Sequence, residues 1–379
     1  MKSYSKLLLI LLCIAGCKSE HSPHLHPNPS YAVNPDTEYI EINLNDLPDW
    51  HSSYSLELKP VLSLDLSDDS RRISSVANIT LDDDYFYIVD GGMAMIHRLD
   101  YDGQSHSPLS VEGRGPGETV SPVNVQISES EIIAIDRING ILYYDRHTLS
   151  PIEPTFDAVR AVTIPPEDFC IMDDDFFILS TFHGVSTNNE AAVFKTDSSF
   201  EETEGFFHRY LYTDPNVVHM MTTGKLLCLP ARNLIFYAAM FGAPILHMAD
   251  LNSGTTQGFL FSDLPPFYFD YSDGMEIAER NFGSTFSRFR YQTVLDNRFL
   301  VHQYTLTDRP EDRDAESTTQ IVSVIFDIDN DFKLYISREL DLIMESFEDM
   351  AVIHTIQPEL YDVVAFTIRE KDASSGSAQ

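Results

Sequence analysis

The chain has 379 residues and carries 25 Lys+Arg against 59 Asp+Glu, a formal net charge of −34. A hydrophobic content of 43% excludes a disordered chain, which combines low hydrophobicity with high net charge. The acidic balance argues against nucleic acid, because phosphate binding needs a basic patch that releases counterions. It argues equally against electrostatic attachment to anionic lipid.

Residues 1–17 read MKSYSKLLLILLCIAGC. Lys2 and Lys6 form a positive n-region, and Leu7–Ile14 is one apolar run, too short to span about 30 Å of hydrocarbon. Ala15 and Gly16 are small residues at the place of a secretory cleavage site. Ile14-Ala15-Gly16-Cys17 resembles the lipobox of bacterial lipoproteins, which implies a signal peptide over 1–16, cleavage before Cys17 and lipidation of its thiol. Lys18-Ser19-Glu20 places no Asp after the cysteine. By resemblance to lipoprotein sorting rules this implies an outer-membrane lipoprotein of the cell envelope, facing the periplasm or the surface. No other apolar run approaches 18 residues, so the lipid is the expected membrane attachment. Losing Lys2 and Lys6 with the leader takes the charge to −36.

Residues 17–38 form the expected lipid anchor and tether. Pro23, Pro27, Pro29 and Pro35 stand among polar residues, a composition that stays solvated and semi-extended. His21, His24 and His26 are close enough to meet a transition metal. A tether supplies no surrounding groups to orient them, so a plain linker is expected here, with no metal and no cofactor.

From residue 39 onward strand signals recur and no long amphipathic helix is evident. Short β-branched and aromatic runs are separated by Gly, Asn, Asp and Pro turns. A polar turn followed by an apolar strand repeats in LDDDYFYIVD, SESEIIAID, MDDDFFILS, PARNLIFYA, LDNRFLVHQ and ELYDVVAFT, ending at Asp90, Asp136, Ser180, Ala238, Gln303 and Thr367. A second strand with a hairpin turn follows five of them: MIHRLDYDG, ILYYDRHT, AVFKTDSS, ILHMADLNSG and VSVIFDIDND. Units of about 40–65 residues, each with about four strands, are the signature of a β-propeller. The spacing predicts an all-β, six-bladed β-propeller over 39–369 and a polar tail over 370–379. The sixth unit lacks its outer strands, whereas YIEINL (39–44) and SLELKPVLSLDL (55–66) are spare. The expectation is that both N-terminal strands close the last blade and remove an open sheet edge.

The stretches LELKPVLSLDL, ISSVANITLDDDYFYIVDGGMAMIHRLDYDGQ and VEGRGPGETVSPVNV resemble the six-bladed β-propeller lipoproteins of Bacteroidota, relatives of NHL and TolB-like propellers. Gly113-Arg114-Gly115-Pro116-Gly117-Glu118 is the most specific match. The resemblance covers 39–368 as architecture and 55–145 at motif level. It implies a fold and an address in the envelope; the family has no settled activity.

Gly113, Gly115, Pro116 and Gly117 superficially resemble a phosphate loop. Such a loop opens onto a helix, but Ser121-Pro122-Val123-Asn124-Val125 reads as a strand, so a structural turn is expected. Arg114 and Glu118 are the candidate ligand-facing residues of this blade-linking loop. Asp327, Asp329 and Asp331 lack the Gly and Glu of a calcium loop and are read as a hairpin turn in register with Asp100–Gly103. Asp82–Asp84 and Asp173–Asp175 are read as solvated hairpin turns. His97, His183, His219, His302 and His354 are scattered over different units, and nothing in their spacing marks a catalytic site; catalytic residues stay unassigned. His219-Met220-Met221 and Ala239-Met240-Phe241-Gly242 are soft apolar stretches expected to pack in the core.

Of four cysteines, Cys13 is lost with the leader and Cys17 is lipidated on this reading. Cys170 and Cys228 each lie ten residues before a recurring strand end, hence at equivalent places in consecutive blades. Stacked sheets are about 10 Å apart, whereas a disulfide needs Cα atoms within roughly 4.4–6.8 Å. Both are therefore expected to be free thiols, the exception being a position near the axis. Only 8 of the 25 basic residues are Lys, and so acidic a surface suits saline or cation-rich envelope conditions. The function expected is a monomeric, non-enzymatic binding or scaffold module for a protein or glycan ligand. The alternative is a propeller hydrolase or lyase with its site at the channel mouth.

Overall fold

The structure is a computed structural model. It describes residues 38–65, 73–103, 106–152, 166–173, 175–180, 191–196, 202–208, 222–265, 285–308, 318–356 and 360–371. Cys17, the leader, the tether up to residue 37 and the tail beyond 371 lie outside these, as do His183, His219, Met220 and Met221. Among the described residues no helix is long and apolar enough to cross a membrane.

Two strands precede the repeats, β1 (Glu38–Ile42) and β2 (Tyr54–Asp65). Blade 1 is β3 (Val76–Leu81), β4 (Tyr85–Asp90), β5 (Met95–Asp100) and β6 (His106–Ser110). Blade 2 shows β7 (Pro122–Ile127), β8 (Glu131–Asp136) and β9 (Gly140–Asp145). Blade 3 is β10 (Pro166–Met172), β11 (Asp175–Ser180), β12 (Ala191–Thr196) and β13 (Glu202–His208). Blade 4 is β14 (Gly224–Leu229), β15 (Leu234–Ala239), β16 (Ile245–Asp250) and β17 (Thr255–Phe261). Blade 5 is β18 (Thr285–Leu295), β19 (Phe299–Asp308), β20 (Thr318–Asp327) and β21 (Lys333–Ser337). Blade 6 is β22 (Leu342–Phe347), β23 (Met350–Thr355) and β24 (Leu360–Glu370). The first strands touch in the cyclic order β3, β7, β10, β14, β18, β22 and back to β3. This is a six-bladed β-propeller with the first strand of each blade at the axis.

Each second strand is buried on both faces, which is why its sequence runs apolar without alternation. In β15, Leu234, Phe236 and Ala238 pack toward blade 5, while Ile235, Tyr237 and Ala239 pack toward blade 3. The core is thus six wedges, one between each pair of neighbouring blades. A fully buried aromatic such as Phe236 stabilises its wedge by roughly 1.5–3 kcal/mol relative to exposure.

The recurring sequence element is the second strand in five units, β4, β8, β11, β15 and β19. In the sixth unit it is the third strand: ELYDVVAFT falls in β24, and the true second strand is β23. The repeat reading is therefore displaced by one strand at the C-terminus. Blade 6 lacks a single outer strand, and β2 pairs antiparallel with β24 from Tyr54↔Glu370 to Asp65↔Leu360. One N-terminal strand is then left over. β1 does not join blade 6, as expected from the sequence, but pairs in parallel with β17 as a fifth strand of blade 4. Gly258 leaves room there for the Tyr39 ring, which a Cβ would meet. Ile42 and Leu44 enter the wedge between blades 4 and 5.

Between β1 and β2 the chain crosses the edge of blade 5, with the Ile336 N–H donating to the Pro48 carbonyl at 3.0 Å. Trp50 and Tyr54 then fill the wedge between blades 5 and 6. Arg298 grips the buried Asp327 carboxylate through Nε at 2.8 Å and Nη2 at 2.6 Å, and donates to the Tyr54 hydroxyl at 2.9 Å. Residues 38–65 thus form a belt across three blades.

Cys170 and Cys228 are not free thiols. They form a disulfide with Cα atoms 5.7 Å apart. The 10 Å spacing holds for the outer parts of stacked sheets. These cysteines sit on β10 and β14, innermost strands of adjacent blades, where the sheets converge. The bond closes a 58-residue loop, for which chain entropy alone gives about 4 kcal/mol. Unfolded, unreduced protein should show no thiol from either residue. The Cys170→Ser/Cys228→Ser protein should be less stable by about 2–4 kcal/mol in denaturant titration.

Candidate functional site

The polar side chains at the axis owe their position to β-bulges. The first strand of a blade shifts register against the second just before Asn78, Asn124, Asp168, Tyr291 and Glu345. A bulge re-aims the residue that follows it. β14 alone among the six pairs without a shift, with Lys225 opposite Ala238. Here Gly224 lies so close to the Ala238 carbonyl that a Cβ has no space. The result is one polar residue per blade at one level of the channel: Asn78, Asn124, Asp168, Lys225, Tyr291 and Glu345. All six line a cavity of about 300 Å³, together with Gln292, the Cys170–Cys228 bridge and apolar groups such as Leu227 and Phe347.

The ring is wired. Asn78 Nδ2 donates to Asn124 Oδ1, and Asn124 Nδ2 donates to Asp168 Oδ1 at 2.6 Å. Asp168 also accepts the Leu226 N–H at 2.9 Å. Lys225 reaches across the axis from blade 4, and its Nζ donates to Asn78 Oδ1 of blade 1 at 3.4 Å. Tyr291 OH lies 2.6 Å from His354 Nδ1. Gln292 is 7% exposed and donates through Nε2 to the Lys225 and Phe236 carbonyls at 3.1 and 3.2 Å. Its Oε1 is buried with no donor. An acceptor in that state is expensive to desolvate, and Gln292 is one of the residues around the cavity.

Burial pushes the Glu345 carboxyl up to about 7; the Ser346 N–H and Lys225 oppose the shift, and the Asp168 charge adds to it.

Neither Arg114 nor Glu118 lines this cavity. Arg114 is exposed on the loop linking blade 1 to blade 2. Glu118 turns inward and accepts the Gly115 N–H at 2.6 Å. Gly113 N–H donates to the Thr119 carbonyl at 2.9 Å, and Asn139 Nδ2 braces the Gly113 and Glu118 carbonyls at 2.9 and 2.8 Å. Gly117, at φ +72°, sits against Pro151, where a side chain is both strained and crowded. Pro116 lies exposed at the tip. The strand β7 follows, not a helix.

His97, His302 and His354 do not meet at the axis. His302 is buried against Phe289, and burial pushes it down to about 3. Asp327–Asp331 and Asp100–Gly103 both form turns between third and fourth strands. Asp82 is not solvated but buried, and accepts Arg146 Nη2 at 2.5 Å. Among the described residues no three His, Cys, Asp or Glu side chains are placed to hold a metal. The ring residues were missed in the sequence because each lies in a first strand, while the visible repeat is carried by the second and third.

A family model described as 6-bladed beta-propeller matches residues 34–266, more than half of the chain. The chain belongs to that family. Its fold is similar to that of an exported protein from Bacteroides fragilis NCTC 9343, at 14% identity and TM-score 0.54 over 88% of this chain and 99% of the other. A protein of unknown function from Bacteroides thetaiotaomicron VPI-5482 is similar at 7% identity and TM-score 0.48, covering 83% of this chain and 76% of its own. No curated protein matches.

The Glu345 proton predicts a pH signature. The folded state holds it to about 7, whereas an unperturbed glutamate releases it at 4.5. The Glu345 contribution to stability therefore falls as pH rises from 4.5 to about 7 and is level above, since the unfolded chain ionises first. In thermal melts, the advantage of Glu345→Gln over the parent should widen through this window and then stay constant.

Proposed function

We propose that the protein is an exported, lipid-anchored binding module that takes a glycan or other small polar ligand into the axial cavity. The observation that carries this reading is the cavity wall, where donors and acceptors from all six blades converge; Gln292, one of the lining residues, also holds a buried Oε1 without a donor. Paired hydroxyls of a sugar match such a mixture of amides, carboxylates and one ammonium. A volume near 300 Å³ is at the small end of ligand pockets, roughly 300–1,000 Å³. It admits a sugar residue or a chain end, so a protein ligand would be met by the blade faces, where Arg114 is exposed. The envelope address rests on the lipobox at Ile14–Cys17 and agrees with the exported relative. A monomer, with no cofactor, is part of the same reading.

A second reading shares the cavity. Glu345, which changes protonation near neutrality, stands in one ring with Asp168, and such a pair suits general acid–base chemistry of a hydrolase or lyase.

Glycan-array screening followed by calorimetry should find a ligand whose affinity falls at least about tenfold in Gln292→Leu and in Lys225→Met. No glycan bound, or equal affinity in both variants, would sink the binding reading. Turnover of a bound glycan that stops in Glu345→Gln would favour the enzyme. For the anchor, Cys17→Ser should move the protein from the detergent to the aqueous phase; unchanged partitioning refutes lipidation.

A further inference from the structure

The chain carries more than two acids for every base, so its cations have carboxylates to choose from. Several take them. Arg298 holds Asp327, Arg146 holds Asp82, and Arg137 holds Glu167. Arg288 and Arg290, two residues apart on β18, do not. Both are half-buried, and neither has a carboxylate partner among the described residues.

Arg288 lies over the Phe241 ring, 4.9 Å from its centroid, and its Nη2 meets only Met240 Sδ, at 2.9 Å. Thioether sulfur is a weak acceptor. Its Nε is buried with no acceptor at all. Arg290 donates through Nε to Thr305 Oγ1 at 3.1 Å. The charged and titratable groups felt by Arg288 are Arg290 and Tyr291; those felt by Arg290 include Tyr291 and Tyr361. None is an acid that ionises at neutral pH. Burial, followed by repulsion from Arg290, pushes Arg288 down to about 10. The equivalent place in blade 3 shows the usual solution: Glu167, at the start of β10, faces Arg137 from the turn after β8. In blade 5 the bulged position equivalent to Glu167 is Arg290, and Arg288, two residues before it, stands against Met240 and Phe241 from the turn after β15.

The two guanidinium groups are close enough to repel each other, are short of acceptors and partly desolvated, and each presents a planar donor fork that fits a planar or tetrahedral oxyanion. We propose that Arg288 and Arg290 form an anion subsite for a carboxylate or sulfate substituent of a ligand. The subsite lies at the start of β18, before the cavity-lining Tyr291 and Gln292. It does not depend on the cavity reading, because Gln292 and Lys225 take no part in it.

The test titrates the whole mature protein with inorganic sulfate and, separately, with glucuronate, at ionic strength held constant with chloride. Sulfate stabilises proteins generally by exclusion from their surface, but without saturation. The subsite predicts an added, saturable rise in melting temperature of about 2 °C. That rise should vanish in Arg288→Gln/Arg290→Gln and persist in Gln292→Leu. A rise with glucuronate alone assigns a carboxylate, and a rise with sulfate alone assigns a sulfate. A saturable rise of equal size in the double variant, or none in the parent with either anion, overturns the proposal. Should the double variant not fold, Arg288→Lys keeps the charge and stem but loses the fork. Its apparent Kd should weaken about tenfold, and an unchanged Kd overturns the proposal equally.

Discussion

The ring depends on one pairing, that of β2 with β24. A propeller blade cannot bury both faces alone, so every wedge of the core needs two neighbours. Blade 6 has three strands of its own, and its outer edge would expose unpaired N–H and C=O groups. An antiparallel register running from Tyr54↔Glu370 to Asp65↔Leu360 supplies the fourth strand from the other end of the chain. Covering sequence ends in this way makes the closure a long-range contact, formed only when the whole ring is in place. Trp50, Tyr54, Arg298 and Asp327 then fasten the incoming strand to blade 5 as well as blade 6.

Convergence at the axis has two further consequences. Adjacent first strands come near enough for Cys170 and Cys228 to bond, which outer strands of the same blades are too far apart to do. The same crowding brings six polar side chains into one ring, so that Lys225 of blade 4 reaches Asn78 of blade 1. Most of this ring is satisfied internally. Beside it, the buried Gln292 carbonyl oxygen has no donor, in a setting where unpaired polar atoms are uncommon.

Acidic residues in this chain do structural work beyond solvation. Asp90 accepts four backbone N–H groups, from Ser74, Ser75, Gly92 and Met93. Asp136 repeats the arrangement with Val120, Ser121, Ile138 and Asn139. Each carboxylate ties the entry of a first strand to the turn after the second strand. Both sit at recurring strand ends visible in the sequence, though their role there is not.

Local sequence determined the strands, their turns and the count of six. Apolar runs such as YFYIVD and LIFYAA between polar turns have one stable outcome, strands buried on both faces, and their recurrence leaves few architectures. The glycine turn at Gly113–Gly117 was legible for the same reason, since its backbone demands are local. Three things were decided only by tertiary structure. ELYDVVAFT reads like a second strand because second and third strands share an apolar, two-sided burial; only the count of partners shows it to be the third, and only that count sends β1 to blade 4. The disulfide depends on distance from the axis, which a repeat register does not contain. The polar ring depends on bulges that add one residue to a strand and turn the next side chain into the channel, and Asn78, Asp168 and Glu345 share no residue type that would reveal it. Such features arise from where strands converge in space, and no single strand encodes that.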